Sequence, residues 1–125
     1  QLVISPNTDP TVISAAKALG LLSIPGFFTP SEAFAALNAG ADALKLFPAE
    51  VSGPQGLKAV RAVLPADTRI YAVGGVAPDT IATWRKAGAS GLGIGSALFT
   101  PGKSAVEVRR AAADFVAAWK AGQPN

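Results

Sequence analysis

The chain has 125 residues, of which 50% are hydrophobic and 15% charged, which is sufficient for one folded domain with a substantial core. Its 11 Lys and Arg against 8 Asp and Glu give a formal net charge of +3, and the basic residues are scattered along the chain, which argues against nucleic-acid binding. The absence of cysteine and histidine excludes disulfides, thiolate or histidine metal sites and a Ser-His-Asp triad.

The sequence has no stretch near the roughly 18 to 20 consecutive apolar residues that span a bilayer, and no secretory signal at its start. We therefore expect a cytoplasmic protein without a membrane or nucleic-acid partner. The chain contains no methionine and opens directly on the apolar run Leu2-Val3-Ile4. From this start we expect part of a longer protein.

Five short segments predict buried strands, because they are apolar at both alternating positions and end near glycine or proline; they are residues 2–5, 21–24, 43–47, 70–73 and 92–94. Apolar residues at helical spacing predict helices over residues 10–19, 57–64, 81–84 and 104–121. Strands and helices thus alternate, which predicts right-handed βαβ units around a parallel sheet.

Capping residues support the same boundaries. Thr29 and Ser104 are each followed three residues later by glutamate, as in a capping box that begins a helix. Gly20, Gly40 and Gly88 follow apolar helical stretches, where glycine commonly ends a helix.

An internal repeat narrows the architecture. Shifting the chain by 48 positions places Gly26 on Gly74, residues 39–41 on residues 87–89, and Leu44 on Leu92. Repeated βα units are typical of a (β/α) barrel, although common strand, turn and cap rules also make unrelated βα units look alike. A closed barrel needs eight strands, so five predict either an open doubly wound domain or the latter part of a barrel.

Lys45 is the candidate catalytic residue, because a charge in an otherwise apolar strand is costly without a partner or a task. Alternate residues of a strand face opposite sides, so we expect Ala43, Lys45 and Phe47 to face the barrel interior, across from three glycines in residues 91–95. Those glycines are expected to leave space for a substrate. Apolar surroundings disfavour a charged ammonium, and a free amine is a Schiff-base nucleophile.

A purely structural interpretation of Lys45 stays open at this point. Its side chain could reach solvent along the apolar surface, or form an ion pair with Asp42 or Glu50. The apolar flanks and the glycines favour the catalytic interpretation.

Glycines also close the last two predicted strands, in Val73-Gly74-Gly75-Val76 and in Gly95-Ser96. Exposed N–H groups at such turns, with a helix start behind each, form an anion site, and barrels often bind phosphate at their last two βα loops. We therefore expect phosphate at Gly74, Gly75, Gly95 and Ser96. The alternative is that these glycines serve only tight turns.

Several motifs of the chain resemble one known family, the class I 2-keto-3-deoxy-6-phosphogluconate and 6-phosphogalactonate aldolases. The resemblance covers residues 2–121, and its most specific part is Lys45-Leu46-Phe47-Pro48; the other motifs are Ile24-Pro25-Gly26, Thr29-Pro30-Ser31-Glu32-Ala33, Ala72-Val73-Gly74-Gly75-Val76 and Gly93-Ile94-Gly95-Ser96. It implies a trimeric (β/α)₈ barrel, with this chain as one partial-barrel domain over residues 1–125 that carries strands 4–8 and ends in a frayed tail at residues 122–125.

The resemblance also implies an activity and the residues that perform it. The reaction would be cleavage of a six-carbon keto-deoxy phosphosugar acid into pyruvate and glyceraldehyde 3-phosphate, with no metal and no other cofactor. Lys45 would form the iminium with the C2 carbonyl, and Phe47 would line the pyruvate pocket beside Pro6 and Pro25.

The same resemblance implies that the backbone at Gly74-Gly75 and Gly95-Ser96 holds the substrate phosphate. Val73 stands where the gluconate enzymes commonly have threonine, and the galactonate enzymes have valine there. It therefore implies the galactonate epimer as substrate.

One departure from the family concerns the chemistry. The segments that supply the family's glutamate acid/base, its arginine contacts and a threonine are absent from this chain. Two other readings therefore stay open: a different phosphate-binding barrel, similar to thiamine-phosphate synthase, and a non-catalytic half-barrel.

Overall fold

The computed structural model describes residues 1–121, in which strands and helices alternate; the tail predicted at residues 122–125 lies outside the described residues. The strands are β1 (Leu2–Ile4), β2 (Leu22–Ile24), β3 (Gly26–Phe27), β4 (Leu44–Leu46), β5 (Ile70–Val73) and β6 (Gly91–Gly93). The helices are α1 (Pro10–Ala18), α2 (Pro30–Asn38), α3 (Ala49–Arg61), α4 (Ile81–Lys86) and α5 (Ala105–Ala121), with a 3₁₀ turn at Pro78–Thr80. Within residues 1–121, no helix is long and apolar enough to cross a membrane.

All strand pairs are parallel, and the strands lie side by side in chain order. β1 pairs with β2, and β3, β4, β5 and β6 form a second sheet. Pro25, which has no N–H, separates β2 from β3, but its carbonyl accepts a hydrogen bond from the Lys45 N–H at 2.9 Å. Residues 22–27 therefore act as one interrupted strand between β1 and β4, in place of the single strand predicted over residues 21–24.

This strand order decides between the two predicted architectures. A doubly wound sheet reverses its strand order at a switch point, whereas the order here runs in one direction from β1 to β6, as in a (β/α) barrel. The structure thus confirms an α/β fold that forms part of a barrel.

The two faces of the sheet have different surroundings. Leu44 and Leu46 are fully buried, while Lys45 between them is only partly buried, so their opposite orientation is as predicted. The core lies between the sheet and the helices and includes Ile13, Ala33, Leu57, Ile70, Ile81 and Phe115. On the concave face near the first strands, Leu2, Ile4 and Leu22 remain about half exposed.

The predicted helix caps are present. At Thr29 the side chain accepts a hydrogen bond from the Glu32 N–H, and the Glu32 carboxylate accepts one from the Thr29 N–H at 2.7 Å. A similar pair of hydrogen bonds joins Ser104 and Glu107 at the start of α5. Gly20, Gly40 and Gly88 have φ of 71°, 96° and 99°, the left-handed conformation that glycine supplies after a helix.

The third predicted helix differs from the structure at both ends. α3 begins at Ala49 instead of residue 57, and it is broken at Gly53, where φ is 67° and ψ is 169°. The sequence pattern misses the first turn because Gly53 and Pro54 interrupt it. At the other end α3 stops at Arg61 instead of residue 64. Val63, one of the apolar residues whose spacing predicts this helix, is outside it and 56% exposed.

Candidate active site

Lys45 lies at the centre of the sheet, on its concave face. In the parallel register it is paired with Gly26 of β3 and with Tyr71 of β5. Its Nζ atom lies 4.5 Å from the centre of the Phe47 ring, because residues two apart on an extended strand share a face. A cavity of about 290 Å³ opens beside it, lined by Ile4, Ile24, Lys45, Tyr71, Val73, Leu92 and Gly93.

Neither of the acidic partners considered for Lys45 forms an ion pair with it. Within residues 1–121, the one ion pair joins Lys17 Nζ and Asp42 Oδ1 at 2.7 Å. The hydrogen bond from Lys17, and after it the one from the Ser23 N–H, hold the pKa of Asp42 below its usual range. Glu50 lies elsewhere, with its side chain close to Gly74 and Gly75. Within the described part of the chain, Lys45 therefore has no carboxylate partner.

The other residues expected in the pyruvate pocket are placed differently from one another. Phe47 contacts the Lys45 amine through its ring face. Pro25 is fully buried, and Pro6 is exposed, with its backbone carbonyl group close to the Cα of Gly26. Pro25 is thus a neighbour of Lys45 across the sheet, and Pro6 adjoins its register partner Gly26. Phe47, Pro6 and Pro25 all lie outside the lining of the cavity beside Lys45.

The two predicted glycine turns come together in space. A second cavity of about 100 Å³, here called the glycine cavity, is lined by Gly74, Gly75, Val76, Gly93, Ile94, Gly95, Ser96 and Ala97. Gly74 and Gly75 have φ of 111° and 64°, and this left-handed backbone is accessible mainly to glycine. All four residues expected to hold phosphate therefore lie around one small cavity at the ends of β5 and β6.

The helix that follows Gly95-Ser96 starts at residue 105, close to the start predicted at residue 104, and not directly at the turn. The chain forms a tight turn there, in which the Leu98 N–H donates to the Gly95 carbonyl at 2.9 Å. α5 begins only at Ala105, because Pro101 and the left-handed Gly102, with φ of 92°, come before its cap. On the β6 side, this cavity is therefore lined by turn residues, Ser96 among them, and not by a helix N-terminus.

Tyr71 is the main residue of the cavity that the sequence alone did not single out. It has the same strand parity as Val73, but its position beside Lys45 depends on the register of β4 and β5. The structure also corrects the space expected at the three glycines of residues 91–95. Tyr71 covers Gly91 and Val73 covers Gly93, and of these three glycines Gly95 alone has open space next to its Cα.

These observations define a class of protein. Parallel βα units in sequential order, with an interior lysine and glycine turns at neighbouring strand ends, form part of a (β/α) barrel. The sequence profile of the aldolase family described as KDPG and KHG aldolase matches residues 1–117. The chain belongs to this family.

Individual relatives agree with the family. The chain is 49% identical over 121 residues to the "Probable 2-dehydro-3-deoxy-6-phosphogalactonate aldolase" of Rhizobium meliloti (strain 1021), covering 97% of this chain and 57% of that protein. It is 47% identical to the 2-dehydro-3-deoxy-6-phosphogalactonate aldolase of Escherichia coli (strain K12), covering 96% of this chain and 58% of that protein. The chain thus spans just over half the length of these curated relatives.

Solved structures show the same likeness. A structure described as native KDPGal superposes with a TM-score of 0.96 at 46% identity, covering 98% of this chain and 59% of that one. Thiamine phosphate pyrophosphorylase from Pyrococcus furiosus superposes with a TM-score of 0.75 at 24% identity, covering 98% of this chain and 60% of that one. The second likeness shows a shared fold alone.

Proposed function

We propose that this chain carries the Schiff-base nucleophile and the phosphate site of a 2-dehydro-3-deoxy-6-phosphogalactonate aldolase. The observation that carries the proposal is that the Lys45 cavity and the glycine cavity meet at Gly93, which lines both. One elongated substrate can therefore present its carbonyl to the amine and its phosphate to the turns.

The proposed reaction uses the amine of Lys45 as an electron sink. The amine adds to the C2 carbonyl of the keto acid, and loss of water leaves a protonated imine. When the C4 hydroxyl loses its proton, the C3–C4 bond breaks, the aldehyde forms at C4, and the electron pair neutralises the iminium as an enamine. Protonation of the enamine at C3 and hydrolysis then release pyruvate and free Lys45.

Protein groups outside this chain are part of the proposal. The proton transfers at the C4 hydroxyl and at C3 need an acid/base group, which in the family comes from earlier strands of the barrel. We assign to this chain the covalent step and phosphate recognition, as one partial-barrel domain.

Phosphate recognition is supported by the glycine cavity. Its lining brings together backbone from two neighbouring turns, at Gly74-Gly75 and Gly95-Ser96. Backbone N–H groups and the Ser96 hydroxyl are donors for an anion. The released aldehyde, glyceraldehyde 3-phosphate, keeps the phosphate group of the substrate, so the same donors would bind it.

The galactonate epimer is supported by Val73. This side chain lines the Lys45 cavity directly before the glycine pair, where it offers a substrate hydroxyl no hydrogen bond. Both curated relatives described above carry the galactonate name. We therefore assign the galactonate rather than the gluconate substrate.

A homotrimer is the assembly that we propose for the complete protein. The resemblance implies it, and apolar side chains on two helices remain available for contact: Phe34 on α2 is 41% exposed and Val51 on α3 is 69% exposed. Light scattering on the purified protein measures the assembly, and a monomer at working concentration would contradict it.

The central experiment is trapping of the imine. Incubation with pyruvate and borohydride, followed by peptide mass mapping, is expected to place one reduced adduct on Lys45. Lys45→Ala should lose it, whereas the matched control Lys58→Ala, a change on the outer helix α3, should keep it. Phosphate binding without any Lys45 adduct would favour the other phosphate-binding barrels, and neither property would favour a non-catalytic half-barrel.

A further inference from the structure

The glycines of β6 lie beneath side chains of β5. Gly91 is the register partner of Tyr71, and Gly93 is the register partner of Val73. A Cβ atom placed on Gly91 would lie 2.5 Å from Tyr71 Cε1, and one placed on Gly93 would lie 2.6 Å from Val73 Cγ2. These separations are far below van der Waals contact, so both β5 side chains occupy space that any larger residue on β6 would fill.

This contact shows the direction in which the two side chains lean. β5 lies between β4 and β6 in the sheet, so a ring that covers Gly91 leans away from the strand that carries Lys45. The same holds for the methyl groups of Val73 over Gly93. The cavity beside Lys45 extends across β5 as far as Gly93 and is lined by both Tyr71 and Val73. The positions of these two side chains therefore set how much of the cavity is open next to the amine.

We propose that Gly91 and Gly93 determine the specificity of the Lys45 cavity indirectly, by seating Tyr71 and Val73 over β6. The width left beside Lys45 limits the size of the carbonyl compound that the amine can accept. The ligand class is a 2-keto acid with a substituted C3, which is broader next to the carbonyl than pyruvate. The ligand class rests on the proposed function, whereas the effect of the glycines on the width of the cavity does not.

The two residue pairs are positioning pairs, because the glycines act through their β5 partners. A methyl group on Gly93 would overlap the methyl groups of Val73. The backbone of β6 is held to β5 by the parallel strand pairing, whereas a side chain can turn, so we expect Val73 to move toward Lys45. Removing the Val73 methyl groups then restores the space. A residue that affected only folding would not produce such a compensation.

The first experiment measures cavity width without relying on aldolase chemistry. Reductive alkylation of the purified chain with formaldehyde, acetone or cyclohexanone, read by peptide mass mapping, gives the rate at Lys45 for carbonyls of increasing size. The exposed Lys58 and Lys86 serve as internal references in the same digest. In Gly93→Ala we expect the ratio of the cyclohexanone rate to the formaldehyde rate at Lys45 to fall about tenfold. This is the lower end of the discrimination that one methylene group produces in an apolar pocket.

Compensation is the decisive comparison. Val73→Ala in the Gly93→Ala background should return the ratio to that of the wild type, and Val73→Ala alone should raise it. Gly56→Ala, which adds the same methyl group on α3, should leave it unchanged. Equal ratios in the wild type, Gly93→Ala and Val73→Ala would overturn the proposal, and the single Val73 variant keeps this test available if Gly93→Ala does not fold.

A second experiment separates this inference from the proposed function. Imine trapping with pyruvate and with 2-ketobutyrate, which has one more carbon at C3, is compared in the same variants. Absence of trapping in the wild type contradicts the aldolase proposal and leaves the alkylation result valid. Trapping in the wild type, with unchanged preference in Gly93→Ala, contradicts the specificity inference and leaves the aldolase proposal intact.

Discussion

The amine of Lys45 lies over the face of Phe47, with Nζ 4.5 Å from the ring centre. The ring of Phe47 is thus the aromatic group in contact with the proposed nucleophile. The iminium that we propose is also a cation, so the ring is available to stabilise the charged intermediate as well as the free ammonium.

A neutral amine has no cation–π contact to lose, so the effect of the ring is seen when trapping is carried out at high pH, where lysine amines are neutral. Under that condition we expect Phe47→Leu to weaken iminium formation. Loss of a cation–π contact corresponds to about 0.5 to 1 kcal/mol, which is roughly a twofold to fivefold higher pyruvate concentration for half-maximal trapping. Phe34→Leu on α2 is the matched control, because that ring is 41% exposed on the helical side. Identical trapping curves for Phe47→Leu and the wild type would show that the ring has no such role.

Gly95 offers a test of the phosphate site that is separable from stability. Its φ lies outside the left-handed region, and a Cβ atom there would meet nothing within 4 Å. We expect Gly95→Ala to change the free energy of unfolding by less than about 0.5 kcal/mol, while its methyl group narrows the glycine cavity and weakens phosphate binding. Titration calorimetry with inorganic phosphate, together with denaturant unfolding, measures both quantities.

Gly102→Ala is the opposite control for that experiment. Gly102 has φ of 92° and open space around it, so alanine there should cost stability and leave phosphate affinity unchanged. If Gly95→Ala binds phosphate as the wild type does, the glycine cavity is not the phosphate site.

Glu50 provides an electrostatic test of the same site. Its side chain lies close to Gly74 and Gly75, so its negative charge opposes an anion in the glycine cavity. We expect Glu50→Gln to tighten phosphate binding by roughly threefold at low salt and by less at high salt, since ions screen charges near the surface. Asp114→Asn on α5 should not change the affinity, and an unchanged affinity in Glu50→Gln would argue against an anion next to this glycine pair.

The Asp42 carboxylate is expected to make stability depend on pH. It accepts hydrogen bonds from Lys17 and from the Ser23 N–H, at 2.7 Å each, and these hold its pKa below the ordinary value of 3.8. Because the folded-state pKa is the lower one, the stabilisation is present above about pH 5 and is lost as the pH falls through the folded pKa.

We accordingly expect Asp42→Asn to lower the free energy of unfolding by about 1 kcal/mol at neutral pH, a value limited by the partial solvent exposure of the pair. The difference from the wild type should shrink below pH 4, roughly where the unfolded carboxyl becomes protonated. Urea unfolding at several pH values measures it, with the exposed Asp67→Asn as control. A difference that stays constant with pH would mean that the ion pair does not stabilise the fold.

Much of the local structure could be predicted from spacing and short-range hydrogen bonding. The alternation of strands and helices, the capping boxes at Thr29 and Ser104 and the opposite faces of Leu44 and Lys45 depend on residues within a few positions of one another. The choice of Lys45 as the candidate nucleophile also came from the sequence, because no histidine or cysteine offers an alternative. The start of α3 was missed since Gly53 and Pro54 disrupt the pattern locally.

The tertiary structure alone decided which distant residues meet. Tyr71 lies beside Lys45, and Val73 covers Gly93, because three strands pair in one particular order and register. A shift of one residue in a strand would turn every side chain to the opposite face, and spacing along the chain does not contain that register. Long-range packing also places Asp42 in an ion pair with Lys17 and not with Lys45. Within residues 1–121, the Lys45 amine therefore has no carboxylate partner.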